Sequence, residues 1–277
     1  MKGLCSKPRI SDYWATGGIA QAPSYRNVLP SNRYQLISLF LHFCKNFQRV
    51  PCGEEGYDPL YKIAPLMNIV KPLYTQYYIP CRELTIDESM RKFKGWIYFH
   101  QYILNKPTRW GIKLWSLCES KSGYLLEWDV YTGRDNNPVA PDQGLGHNVV
   151  IKLMDNNGYL NLGHHLHVDN LYSSPGLLEA LKEQGTGACG TVRLNRKGLP
   201  EEIRPARLQL KKGDDLVYYR KGDMLVCSWH NSARINFLST IDTIGYAWKQ
   251  IQSKQAETGF RDVKKPNVAC NYNGSME

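Results

Sequence analysis

Two short stretches carry acidic residues in a setting where they could hold a cation. Leu84-Thr85-Ile86-Asp87-Glu88-Ser89-Met90 places Asp87 at the end of a short apolar strand, and His165-Leu166-His167-Val168-Asp169-Asn170 repeats the layout around Asp169. Side chains along a strand alternate between faces, so Leu84 and Ile86 share one side and Thr85 and Asp87 the other. Leu166 and Val168 likewise oppose His167 and Asp169. On this alternation Asp87 and Glu88 cannot both serve one site. If the two strands are neighbours, their backbones lie roughly 4.8 Å apart and both carboxylates reach one cation or a close pair of them. Magnesium takes oxygen ligands and keeps several waters, which suits aspartates at strand ends. The bland alternative is a turn former or a solvated acid. Nitrogen ligands suit zinc better than magnesium, so His164 and His165 read as residues flanking the strand, and His167, nearer Asp169, as one that could contact phosphate.

The elements that must position these residues can be followed along the chain. Asn32 with Gln35 resembles a helix start, and Leu36, Ile37, Phe40, Leu41, Cys44 and Phe47 recur at helical spacing. Tyr13 and Trp14 are expected to pack on this layer or on a partner. A second helix opens at Pro65, with Pro72 predicting a kink or an early stop. After Cys81 the pattern turns to strands. Ile112, Leu114, Ser116 and Cys118 alternate with Lys113, Trp115 and Leu117, and the turn Ser120-Lys121-Ser122-Gly123 leads to a strand with Tyr124, Leu126, Trp128 and Val130, completing an antiparallel meander. A loop through Gly133, Gly144 and Gly146 precedes a helix with Val149, Val150, Leu153 and Met154. Ser174 as cap, Pro175 at the first helical position, Leu177, Leu178 and Leu181 on one face and Gly185 after the last turn mark the next helix. A strand over 188–192 follows, then a basic, proline-bearing stretch from Arg193 to Lys212, then short strands from Met224 to Trp229 and Asn236 to Ser239. This order predicts an α/β fold with a mixed sheet covered on both faces and a small β-rich insertion.

A chain of 277 residues with 42% apolar content can bury a core, and its net charge of +10 favours a polyanionic partner such as nucleic acid. No apolar run approaches bilayer-spanning length and the first residues lack a secretory signal core, so the expectation is an intracellular protein without a membrane partner. Cys5, Cys44, Cys52, Cys81, Cys118, Cys189, Cys227 and Cys270 form no C-x-x-C pair, which argues against a zinc module in this chain and, in a reducing compartment, against disulfides; most are expected to be small buried hydrophobes.

Five groups of residues in order carry a resemblance: Thr85-Ile86-Asp87-Glu88-Ser89-Met90; Asn105-Lys106-Pro107 with Trp110-Gly111-Ile112-Lys113; Tyr131-Thr132-Gly133; Val168-Asp169-Asn170; and Gly190-Thr191-Val192-Arg193 with Asn195-Arg196-Lys197-Gly198-Leu199-Pro200. Together they resemble the piggyBac transposase family and its domesticated relatives, from about Ser11 to the end of the chain. The resemblance implies an RNase H-like core in which three aspartates hold two magnesium ions and cut and join DNA strands, with Asp87 as the first aspartate and Asp169 as the second. The family's third aspartate lies in a Gly-Gly-Val-Asp motif preceded by a stretch similar to Lys265-Pro266-Asn267-Val268 and Asn271-Tyr272-Asn273. Here Ser275-Met276-Glu277 stand where that motif should begin, so the third ligand and the zinc module beyond it are expected to be missing from this chain, and Asp242 or Asp262 would have to substitute. The layout implied is a helical segment over 1–80, the RNase H-like core over 81–192, the β-rich insertion over 193–262 and a return to the core over 263–277. Arg91, Lys92, Lys94, Lys106, Arg109, Lys113, Arg193, Arg196 and Lys197, with Trp96 and Trp110 among them, follow the motif strands and are expected to track DNA phosphates. The partner is therefore DNA, the cofactor Mg²⁺, the location the nucleus and the assembly to test for a homodimer. A DNA-binding protein that needs no chemistry is the alternative.

Overall fold

The computed structural model describes residues 6–17, 25–104, 106–133, 144–252 and 260–276, in two units, Met1–Ile69 and Val70–Glu277. The first holds helices α1 (Tyr25–Val28) and α2 (Ser31–Phe40) and the beginning of α3 (Ala64–Tyr77). Tyr13 and Trp14 pack within it: Trp14 Nε1 donates to the Leu29 carbonyl at 2.7 Å, and the Tyr13 ring meets Tyr25 edge-on at 4.9 Å. Helix α2 begins one residue before Asn32 and stops at Phe40, where Leu41 turns extended, so Leu41, Cys44 and Phe47 do not continue its face. None of its side chains is buried, because a helical spacing of apolar residues fixes a core only where another surface meets it. Helix α3 runs through Pro72 for 14 residues; the ring removes one ladder donor without ending the helix, so the early stop does not occur.

The second unit is built on one large sheet. In chain order its elements are β1 (Glu83–Lys92), β2 (Gln101–Tyr102), β3 (Trp110–Glu119), β4 (Leu125–Val130), α4 (Gly144–Asp155), β5 (His165–Val168), α5 (Pro175–Glu183), β6 (Gly187–Thr191), β7 (Val217–Lys221), β8 (Met224–His230), β9 (Arg234–Ser239), β10 (Tyr246–Gln252), β11 (Phe260–Pro266) and α6 (Asn267–Met276). The sheet order is β2-β3-β1-β5-β6-β9-β8-β7, with β4 also on β3. Strands β1, β5 and β6 run parallel and the rest antiparallel. Parallel neighbours need a crossover, which α5 supplies between β5 and β6.

Alternation along the strands sorts the core into two layers. Leu84, Ile86, Trp115, Leu117, Leu166, Val168 and Ala188 face the side covered by α4, through Val149, Val150, Leu153 and Met154, and by α5, through Leu177, Leu178 and Leu181. Cys189, Cys227, Trp229 and Phe237 face the other side, with Val268 and Ala269 of α6. The β-rich segment does not stand apart from this sheet. Strand β9 lies antiparallel to β6, pairing Ser239 with Cys189 and Phe237 with Thr191, so β7 to β9 extend the main sheet while β10 and β11 form a separate two-stranded one. Of the described cysteines only Cys189 and Cys227 are buried, and Cys52 and Cys81 are exposed, which corrects the expectation of mostly buried thiols; all are free. Cys5, Asn105 and residues 134–143 lie outside the described residues.

Helix α5 starts as its sequence dictates. Ser174 is extended and its Oγ accepts from the Leu177 N–H at 3.2 Å, with Pro175 next. Ser174→Ala is expected to lower stability by about 1 kcal/mol, read as a lower urea midpoint at unchanged slope.

A candidate metal and nucleic-acid site at the carboxyl end of the parallel strands

Strands β1 and β5 are hydrogen-bonded neighbours in parallel register, with Leu84 beside Leu166, Thr85 beside His167 and Ile86 beside Val168. The next residues on each are Asp87 and Asp169, so the two aspartates leave adjacent strands at the same level and on the same face. Asp87 does not end its strand, contrary to the sequence expectation. Strand β1 continues to Lys92 against β3, with Asp87 opposite Ser116, while its partner β5 stops at Val168. From Asp87 onward one edge of β1 is therefore open, which gives the acidic side chains room on both faces.

Asp169 is held by the turn after β5. Its Oδ1 accepts from the Asn170 N–H at 2.6 Å and from Thr191 Oγ1 at 2.9 Å, and its carbonyl accepts from the N–H groups of Tyr172 and Ser173 at 3.0 and 3.2 Å. Asp87 is 47% exposed in its side chain, and Lys106 Nζ lies 3.4 Å from its Oδ2 while donating to the Glu88 carbonyl at 2.8 Å. Thr85, two residues before Asp87 on the same face, donates to the carbonyl of Ser275 at 2.9 Å, so the last turn of α6 lies against this face. Tyr272 of the same helix has its hydroxyl pKa pushed up by burial, with Asp169 adding to the shift.

Glu88 follows Asp87 on β1 and lies opposite Trp115 in the antiparallel ladder. It is largely buried on the other face, with Lys113 Nζ 3.3 Å away and that ammonium set over the rings of Trp115 and Tyr131 at 5.6 and 5.8 Å. Burial raises the Glu88 carboxyl above its ordinary range; Lys113 opposes this and Asp87 adds to it. Tyr172, 2% exposed and with no hydrogen-bond partner for its hydroxyl among the described residues, has its pKa raised by burial first and then by Glu88, Asp87 and Asp169. No sequence pattern marks Tyr172; Thr191 could be found through the Gly190-Thr191-Val192 run.

As donors, the two aspartates suit a hard divalent cation: both are oxygen ligands and one is already oriented by hydrogen bonds. Among the described residues, however, no three His, Cys, Asp or Glu side chains converge closely enough to hold a metal. Asp242 does not substitute, since it is buried and accepts from Ser239 Oγ at 2.7 Å and Asn271 Nδ2 at 2.6 Å. Asp262 lies on β11, lining a cleft of about 370 Å³ with Lys212, Asp215, Trp248 and Lys264. His167 is also corrected: it is 1% exposed and its Nε2 meets Glu83 Oε2 at 2.8 Å, so it is turned to a carboxylate and shielded from phosphate. His165 shares that carboxylate at 3.1 Å, and His164 flanks the strand beside the Arg82 carbonyl.

The basic residues divide into two groups. Arg91, Lys92, Lys94, Arg109, Arg193 and Lys197 are exposed. Lys106 and Lys113 face Asp87 and Glu88, and Arg196 is turned inward, donating to the carbonyls of Asn170 and Leu171 at 3.0 and 2.6 Å. Arg193 Nε donates to Asn170 Oδ1 at 2.9 Å, which places its guanidinium beside the turn that holds Asp169.

A family model described as transposase IS4 matches residues 1–277. The chain is 28% identical over 253 residues to the human piggyBac transposable element-derived protein 2, covering 86% of this chain and 40% of the relative. It is 26% identical over 285 residues to the human piggyBac transposable element-derived protein 3, covering 100% of this chain and 46% of the relative. The chain thus spans less than half the length of these relatives. Among solved structures, the cryo-EM structure of the piggyBac transposase synaptic complex with hairpin DNA superposes with a TM-score of 0.74 at 24% identity, over 92% of this chain and 50% of that one. The shared architecture is an RNase H-like mixed sheet flanked by helices.

Proposed function

The chain belongs to the piggyBac transposase family, matched along its whole length by the model described as transposase IS4, and from that premise we propose that it binds DNA along a basic rim beside an acidic pair that holds Mg²⁺. The observation that carries this reading is the parallel register of β1 and β5, which sets Asp87, midway along β1, beside Asp169 just past the end of β5. Arg193 stands at the turn after Asp169, and Arg91 and Lys92 lie on the far end of the strand that carries Asp87. The DNA complex of the structural neighbour supports the same class of partner.

Asp87 and Asp169 are the residues that would hold the cation, which when bound supplies Lewis-acid stabilisation of charge on phosphate oxygens. The chain's own part is to orient and to neutralise. Thr191 and the Asn170 amide fix one oxygen of Asp169, Lys106 offsets the charge of Asp87, and the exposed arginines and lysines hold the phosphate backbone without reading its sequence. Strand cleavage calls for a further ligand, and none joins the pair among the described residues. DNA binding is the primary reading, supported by the exposed basic residues beside the acidic pair, and Mg²⁺-dependent strand cleavage is the second. A nuclear location accompanies either.

DNA affinity of the chain is expected to fall steeply with salt and to survive combined Asp87→Ala and Asp169→Ala changes. Combined Arg91→Ala, Lys92→Ala and Lys94→Ala changes are expected to lower it about tenfold or more and to flatten the salt slope by up to about three. Affinity indifferent to salt would sink the primary reading. Nicking that needs Mg²⁺ and disappears with either aspartate would promote the second.

A further inference from the structure

The loop from 93 to 100 between β1 and β2 presents Trp96 wholly to solvent, at 102% relative exposure. Both ends of the loop are fixed. Phe99 is buried, His100 Nε2 meets the Phe93 carbonyl at 3.0 Å, and the His100 ring stacks on Trp110 at 5.3 Å. Gly95 makes the presentation possible, because a Cβ there would lie 2.6 Å from the Phe93 ring that folds back beneath it. Trp110 is itself 56% exposed and leans on Tyr102 across the β2–β3 pair at 4.8 Å. Trp96, Tyr98, Tyr102 and Trp110 are all exposed on this loop and on the strand pair it leads into, and a group of exposed aromatic side chains, unlike a single one, marks an interaction site.

Charge indicates the kind of ligand. The thirty residues from Ser89 to Cys118 contain Arg91, Lys92, Lys94, Lys106, Arg109 and Lys113 and no acidic residue at all. Aromatic rings set in a purely basic segment match the way single-stranded nucleic acid is held, with phosphates on the cations and base faces on the rings. A closed duplex hides its base faces, so it could satisfy the cations while leaving Trp96 bare.

We propose that Trp96 is a stacking platform for an unpaired base, and that the ligand of this loop is a frayed or single-stranded DNA end continuing from a duplex whose phosphates follow the basic rim. The proposal rests on the DNA-binding reading above and adds the strand state of the DNA. Stacking accepts any base, so the preference is for unpaired ends and indifferent to sequence.

The test uses the whole chain and two fluorescein-labelled duplexes of one sequence, one blunt and one with a four-nucleotide unpaired overhang. The wild-type chain is expected to bind the overhang duplex more tightly, and Trp96→Ala to lose about tenfold on that duplex while changing by less than about twofold on the blunt one. Trp96→Phe, which keeps an aromatic face, is expected to recover most of the loss, and Lys94→Ala to weaken both duplexes alike. Because Trp96 is fully exposed, neither substitution removes a core contact. Equal binding of the two duplexes by the wild type, or an equal loss on both with Trp96→Ala, would overturn the stacking role and leave DNA binding intact. Failure to bind either duplex would overturn both readings.

Discussion

Replacing Gly190 by alanine is expected to destabilise the second unit by about 3–4 kcal/mol. Gly190 pairs in register with Val168 across the parallel β5–β6 ladder. A Cβ at this position would overlap Ser173 Oγ and the Val168 carbonyl oxygen, and would lie 3.0 Å from Val168 Cγ2. None of the three can yield cheaply. The Val168 carbonyl sits in the ladder, Val168 is wholly buried, and Ser173 is buried and donates from Oγ to the Asp169 carbonyl at 3.2 Å. Any relief would therefore shift the turn that holds Asp169, so the loss of stability should come with weaker binding of the Mg²⁺ proposed for that aspartate. The check is a urea titration against Gly176→Ala, a position on α5 with no atom within 4 Å, where alanine should be neutral or stabilising by up to about 1 kcal/mol. A Gly190→Ala chain as stable as the wild type would mean that β5 and β6 can separate without harm.

Removal of the Glu119 carboxylate is expected to cost about 2–3 kcal/mol. This side chain, at the end of β3, is 2% exposed and accepts from Ser122 Oγ, from the Tyr78 hydroxyl at 2.7 Å and from the Cys81 N–H at 2.9 Å. It thus joins the β3–β4 turn to the segment leading into β1. Those bonds, Ser122 first and then Tyr78 and Cys81, hold the Glu119 pKa down to about 2. A carboxylate with a depressed folded pKa stabilises the fold above its ordinary value of 4.5 and loses that contribution as pH falls towards about 2. Wild-type stability should therefore drop through that window, and Glu119→Gln, already weakened at neutral pH, should show a shallower drop. Parallel acid profiles for the two chains would refute the clamp.

The parts of the fold visible in the sequence are those where local chemistry and tertiary packing agree. Ser174, Pro175 and the leucines after them state the start and the buried face of α5 without outside help. Leu84, Ile86, Leu166 and Val168 alternate because both strands are buried, and the same alternation placed Asp87 and Asp169 on one face. The rest depended on neighbours that a sequence does not show. The polar run Glu88 to Lys92 stays extended only because β3 pairs with it throughout, so the strand outran its apolar pattern. Glu88 is largely buried because β3 brings Lys113 and Trp115 beside it, a pairing that the sequence does not show. His167 could be placed on the right face, but its burial against Glu83 depends on the pairing of β1 with β5. The β10–β11 pair, with Tyr246, Trp248 and Phe260 exposed, carries no buried face to betray it. In the first unit the apolar residues of α2 suggested a core face that the structure leaves uncovered.

The bond from Thr85 to the carbonyl of Ser275 joins residues 190 positions apart. At a synthesis rate of about 5–20 residues per second, roughly 10–40 s separate the emergence of its two halves from the ribosome. The parallel trio is complete only once β6 has emerged at Thr191, and from then the layer under α4 and α5 can form while the other waits for α6, which begins at Asn267. Over that shorter span first Cys189 and then Cys227 and Phe237 emerge without their α6 cover, and that half-clad sheet is where a chaperone would find its grip.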